Sequence, residues 1–105
     1  MSASRTTIVI AGTLVLKPGT FERLRPHMLA MIEASRAETG CLAYAYALDI
    51  EDPLVLRVHE EWTDRAALER HFRTAHLKAW RAELARVGIE SRELVSWSAA
   101  DPVRI

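Results

Sequence analysis

Hydrophobic periodicity in this chain switches between two and 3.6 residues, and the switches run β-α-β and then β-α-β again. Residues 6–16, TTIVIAGTLVL, are rich in β-branched side chains and read as a first strand. Phe21, Leu24, Met28, Met31, Ile32 and Ser35 then trace one face of a helix. Residues 41–48 alternate strictly, with Leu42, Tyr44, Tyr46 and Leu48 opposite Cys41, Ala43, Ala45 and Ala47. Residues 54–62 form a third strand, in which Leu54, Leu56, Val58, Glu60 and Trp62 share a face. Helical spacing returns with Leu68, His71, Phe72 and Ala75, then with Leu77, Trp80, Leu84 and Val87, and residues 89–98 form a fourth strand. A βαββαβ order in a chain of 105 residues is the ferredoxin-like split βαβ, an α+β fold with its helices on one face of a four-stranded sheet.

That length fits one domain, with a core over residues 6–98 and a tail, 99–105, that carries apolar Val103 and Ile105. The first strand is apolar on both sides. Ile8, Ile10, Leu14 and Leu16 lie on one, and Val9, Ala11, Thr13 and Val15 on the other. Helices cover only one face, so the second is expected to meet a copy of the chain, sheet to sheet, in a homodimer. Lys plus Arg and Asp plus Glu number 14 each. Zero net charge argues against a nucleic-acid partner and removes repulsion between copies. The longest apolar run, residues 8–16, is about half the length of a membrane span. The N-terminal MSASRTT has no hydrophobic signal core. A single cysteine, Cys41, allows no internal disulfide and suits a reducing compartment, so the cytoplasm is the expected location.

Local signals punctuate this order. Lys17-Pro18-Gly19 has the type II turn pattern, and Thr20 is placed to cap the first helix. Pro26 should kink that helix or delay its regular start, and Gly40 should supply its left-handed terminal position. Gly12 marks either a bulge or a close approach of another backbone, and the bulge is the expectation. Thr63 is the expected cap of the second helical segment, with Asp64 in its first turn. Arg73-Thr74-Ala75 is a weak point where that helix can break and another can open at His76.

The groups able to do chemistry concentrate in residues 60–80, EEWTDRAALERHFRTAHLKAW. His71 sits among apolar neighbours on the inward side of its helix. His76 would lie about 140° further round if that helix were unbroken. Both are candidate catalytic bases, since histidine titrates near neutrality. The plainer alternative is a hydrogen-bonded core histidine at position 71 and a helix-start residue at 76. Trp62 ends a strand on an apolar face and offers a flat wall to an aromatic ring. Glu60 beside it is costly to bury, and calls either for an arginine partner or for a wet pocket. Tyr46, Trp80 and Arg81 complete the candidate substrate contacts, although Trp80 is equally a core residue. Cys41 reads as a small apolar core residue, without the electropositive setting a reactive thiol needs. No metal site is expected, because His71 and His76 are not at the i, i+4 spacing that puts two ligands on one helical face, and there is no cysteine pair.

LVLKPGTFERL, EASRAETGCLAY, the DxEDP turn at 49–53, EEWTDRAALERHF and AHLKAW occur in the order found in the antibiotic biosynthesis monooxygenase family, which the chain resembles over residues 6–97. The resemblance implies a dimeric α+β barrel. It also implies a monooxygenase that needs neither metal nor flavin and oxidises a small quinol, phenol or polyketide-like aromatic with dioxygen. Such a protein needs a base, a pocket that excludes water, and groups to hold an oxyanion. The chain departs from the polyketide-oxidising branch, which carries an Asn four residues before the Trp, where Val58 stands here. The haem-degrading branch needs an Asn in its first strand, and this chain contains no Asn at all. Two other functions remain open on the same scaffold. One is a non-oxidative enzyme such as an isomerase, with His71 and His76 shuttling protons and arginines holding an anion. The other is a non-catalytic dimer that binds a small aromatic ligand. Oxygen consumption with a quinol panel separates the oxygenase from both.

Overall fold

The computed structural model describes residues 6–105, so the reading of a missing signal core falls largely on residues outside that range. The elements are β1 (Thr6–Leu16), α1 (Phe21–Arg36), β2 (Cys41–Leu48), β3 (Val55–Trp62), α2 (Arg65–Phe72), α3 (Ala75–Val87) and β4 (Ile89–Ala100). The four strands form one sheet in the order β2-β3-β1-β4, with every neighbouring pair antiparallel. Each helical connection therefore skips one strand, which is the split βαβ topology that the doubled pattern predicts.

All three helices pack on one face. Leu24, Met28 and Met31 of α1, Leu68 of α2 and Trp80 of α3 are buried against Ile8, Leu14, Leu16, Leu56, Val58 and Trp62 of the sheet. The period of two in β3 survives intact: Leu56, Val58, Glu60 and Trp62 are buried, while Arg57 and His59 are exposed. On the opposite face Val9, Ala11, Thr13 and Val15 are half-buried, and Val95 and Trp97 of β4 are 44% and 52% exposed. Among the described residues, no helix is long and apolar enough to cross a membrane.

Several local expectations are corrected. Gly12 is not at a bulge. It sits in regular register between Val58 and Leu94, and the irregularity in the β1–β4 ladder falls at Val15/Leu16. Its reason is the close approach of a second backbone: a Cβ there would run into the Glu93 carbonyl and lie 2.9 Å from Leu94 Cα. Gly12→Ala is therefore expected to destabilise the fold by about 1–3 kcal/mol, the ordinary cost of overpacking, because both obstacles are backbone and cannot swing away. A chemical-denaturation midpoint equal to that of the parent chain would overturn this account.

A shift of register between Cys41 and Ala43 breaks the alternation of β2 at its start. Leu42 is left 55% exposed, and Cys41 packs against the core instead of opposing the tyrosines. Helix α1 runs through Pro26 as one element, with Pro26 on its exposed side. It ends at Arg36, so Gly40 is not its terminal residue. Gly40 has φ 90° in the following turn, where a Cβ would meet Ala67 Cβ at 2.6 Å. Thr20 does not cap α1 through its side chain; its hydroxyl donates to the Lys17 carbonyl at 2.7 Å. The cap of α2 is Asp64 rather than Thr63, with Asp64 Oδ1 accepting from Ala67 N at 2.8 Å. The weak point at 73–75 does break the helix. Thr74 is extended, its hydroxyl donates back to the His71 carbonyl at 2.7 Å, and it accepts from Leu77 N at 3.4 Å. One side chain thus closes α2 and opens α3.

Candidate active site

Between α2, α3 and the helix-facing side of the sheet lies a cavity of about 630 Å³, a volume suited to a small organic molecule. Its walls mix aromatic, aliphatic and charged side chains. Tyr44 and Tyr46 stack at 5.8 Å between ring centroids, and Tyr46 meets Trp80 at 6.1 Å. Glu60, Glu93 and His71, with Arg65, Arg81 and Arg92, supply its charged and titratable groups, and Phe72 adds another ring.

His71 comes from the inward face of α2 and is 1% exposed. Its Nδ1 lies 2.6 Å from Glu38 Oε2, in the turn after α1. A carboxylate only accepts, so Nδ1 carries the proton, and in the neutral ring the lone pair is on Nε2. Burial pushes the His71 pKa below the ordinary histidine value, against the opposing pull of Glu38. Nε2 makes no hydrogen bond. No buried side-chain nitrogen or oxygen among the described residues lacks a partner, so Nε2 is open to the cavity that His71 lines. The result is a neutral imidazole with its basic nitrogen unpartnered at the cavity and its tautomer held from behind.

Trp62 is not one of those walls. It is wholly buried, outside the cavity lining, with its ring 4.7 Å from the His71 ring. Trp62 lies in the core beneath His71 and packs against the imidazole, away from the cavity lining. Its indole Nε1 donates to Glu60 Oε1 at 3.0 Å. That answers the question of Glu60: no arginine pairs with it among the described residues, and it lines the cavity as a buried acid. Burial raises its pKa, while the hydrogen bonds from Trp62 and Tyr44 pull the other way. Tyr46, Trp80 and Arg81 line the cavity. The Arg81 guanidinium stands 5.6 Å over the Phe72 ring, and its charge reaches Glu60, Tyr46 and His71.

His76 lines no part of the cavity. Its Nε2 lies 2.8 Å from the same Glu38 oxygen, and its side chain is 25% exposed. The break at Thr74 turns α3 so that two histidines far apart on a continuous helix converge on one carboxylate, with ring centroids 6.0 Å apart. Sequence reasoning missed Glu38. It lies 33 residues before His71, and only its place in the EASRAETGCLAY segment, two residues before Gly40, hints at it. It also missed Tyr44 as a lining residue, although the shared face with Tyr46 was visible. Cys41 is half-buried with its thiol pKa raised by burial, which fits an unreactive core position.

With this geometry in view, residues 7–83 match the family model described as antibiotic biosynthesis monooxygenase. An uncharacterised protein of Synechocystis sp. is 36% identical over 69 residues, which cover 66% of this chain and 47% of that protein, so the chain spans about half the length of the curated relative it matches. A crystal structure from Pseudomonas aeruginosa is similar at 30% identity and TM-score 0.80, over 94% of this chain and 98% of that one. Another, from Deinococcus radiodurans, of a protein named as a candidate antibiotic biosynthesis monooxygenase, aligns at TM-score 0.86 and 21% identity over 93% and 97% of the two chains. The last supports the fold alone.

Proposed function

Because the chain belongs to the antibiotic biosynthesis monooxygenase family, we propose that it is a cofactor-independent monooxygenase that oxidises a small quinol, phenol or related aromatic in the cavity between sheet and helices. The observation that carries this reading is His71 Nε2, unpartnered at the aromatic cavity while Nδ1 is tied to Glu38. In the proposed reaction Nε2 removes a phenolic proton, and the electron-rich anion gives electrons to dioxygen. One oxygen atom enters the substrate as a carbonyl and the other leaves as water, with the substrate supplying all the electrons. Tyr44, Tyr46 and Trp80 offer aromatic faces to the ring, and Arg81 offers positive charge to the developing oxyanion. His76 serves behind Glu38, one residue removed from the cavity. The test is oxygen uptake by purified protein, free of metal and flavin, with a panel of quinols and phenols. Uptake above the uncatalysed background supports the reading, and none with any substrate overturns it in favour of a non-oxidative enzyme or a binding module.

The same reading includes a homodimer. The uncovered sheet face carries Val9, Ala11 and Val15 beside Val95 and Trp97, an apolar patch of the kind that marks an interface. The tail beyond β4 adds Val103 and Ile105, both exposed and available to reach a partner. Light scattering is expected to give twice the 11.8 kDa chain mass at micromolar concentration, and removal of residues 101–105 should weaken the assembly. A monomer at that concentration would contradict the dimer. A truncated chain with unchanged dissociation would contradict the role of the tail.

A further inference from the structure

We propose that Glu38, His71 and His76 form a binding site for a divalent transition-metal ion of the zinc type, which lies behind the cavity and shares His71 with the proposed oxidation chemistry. Glu38 Oε2, His71 Nδ1 and His76 Nε2 all lie within 4.8 Å of one another. They arrive from three parts of the fold: the turn after α1, the inward face of α2 and the first turn of α3. The i, i+4 spacing for two ligands applies to one unbroken helix, whereas the break at Thr74 places His71 and His76 on separate helices, α2 and α3.

The donor chemistry selects the ion. Two imidazole nitrogens and one carboxylate oxygen suit zinc and its first-row neighbours, whereas magnesium and calcium prefer oxygen ligands. Zinc takes such donors at about 2.0–2.2 Å, which sets them about 3.3 Å apart around a tetrahedron. The two imidazole nitrogens now stand 2.6 and 2.8 Å from Glu38 Oε2, held there by protons. Small outward shifts of Glu38, together with approach of the two rings, make room for the ion. Access is from the His76 side, which is 25% exposed, while His71 at the back is 2% exposed. Three protein ligands leave a fourth position for water on the open side.

Ligation through Nδ1 displaces the proton that His71 holds toward Glu38, and the neutral ring then carries its proton on Nε2. On the oxygenase reading, the zinc-loaded chain would therefore lack the lone pair that faces the cavity, and the site would act as an off-switch.

The experiment is a zinc titration of the purified full chain after chelator treatment and dialysis, followed by calorimetry and thermal melting, with magnesium as the control ion. Expected are one zinc per chain at micromolar concentration, a raised melting temperature, and no response to magnesium. His76→Ala and Glu38→Gln should each weaken zinc binding by at least about 10–100-fold, the loss that follows even from removing an outer-shell partner. His59→Ala, which removes the surface histidine beside Glu61, should leave binding unchanged. No zinc uptake at micromolar concentration, or uptake that is unaltered in both His76→Ala and Glu38→Gln, would overturn the proposal. The titration contains no substrate, so its failure leaves the oxygenase reading standing, and absence of oxygen uptake leaves the zinc result standing.

Discussion

His71→Ala is expected to lower turnover by about 10²–10⁴-fold, the usual contribution of a positioned general base, with KM little changed. The expectation rests on the open Nε2 and on the Glu38 bond that fixes the tautomer. His71 is buried against Trp62 and Tyr44, so the alanine variant also leaves a void. His71→Gln, which keeps much of the volume and a donor toward Glu38 but lacks a basic nitrogen, separates the two effects. It should fold with a melting temperature near that of the parent and still lose turnover. Glu38→Gln should lower turnover less than His71→Ala, because it loosens the imidazole without removing it. Steady-state oxygen uptake for the three variants checks the order. If His71→Gln retained activity within a few-fold of the parent, the base would have to be sought elsewhere, with the Glu60 and Glu93 carboxylates of the cavity lining the next candidates.

Trp62→Ala is expected to have the largest effect on stability, about 3–5 kcal/mol, and a smaller direct effect on the substrate site. The indole is wholly buried, so the truncation opens a cavity beneath both Tyr44 and His71. It also removes the N–H that serves Glu60 Oε1. Trp62→Phe isolates that second contribution. Without the indole N–H, the Glu60 pKa should rise further, because burial already raises it and the hydrogen bond opposes that rise. The sign for stability follows from proton counting. Between the ordinary value of 4.5 and the raised folded value, the folded chain holds more protons than the unfolded one, so stability falls as pH rises through that window. Trp62→Phe should widen the window and steepen the loss. Urea unfolding of parent and variant at several pH values measures it, and parallel curves would mean that Glu60 is indifferent to the indole.

The topology was legible because both periods are written plainly in single stretches. The alternation of residues 55–62 survives unchanged in the buried set Leu56, Val58, Glu60 and Trp62. The helix break was visible at Thr74 for the same reason, since caps are local. Even the inward placement of His71 came from helical spacing alone, and so did the shared face of Tyr44 and Tyr46.

What the tertiary structure decided were contacts between residues distant in sequence. Glu38 meets His71 across 33 residues and His76 across 38, and no local pattern marks that meeting. Trp62 looked like a pocket wall because a strand pattern reports which face is buried, not whether core or cavity lies over it. Gly12 looked like a bulge because a glycine in a strand signals freedom, whereas its cause is the Glu93 carbonyl on a strand about 80 residues later. By itself, then, the sequence determined the order of elements, the buried face of each and the stretch that carries the chemistry, since these follow from side-chain period and local hydrogen bonding. The choice of cavity wall, the partner that orients the base and the convergence of two histidines on one carboxylate were decided only when the sheet register and the turn at Thr74 set separate segments side by side.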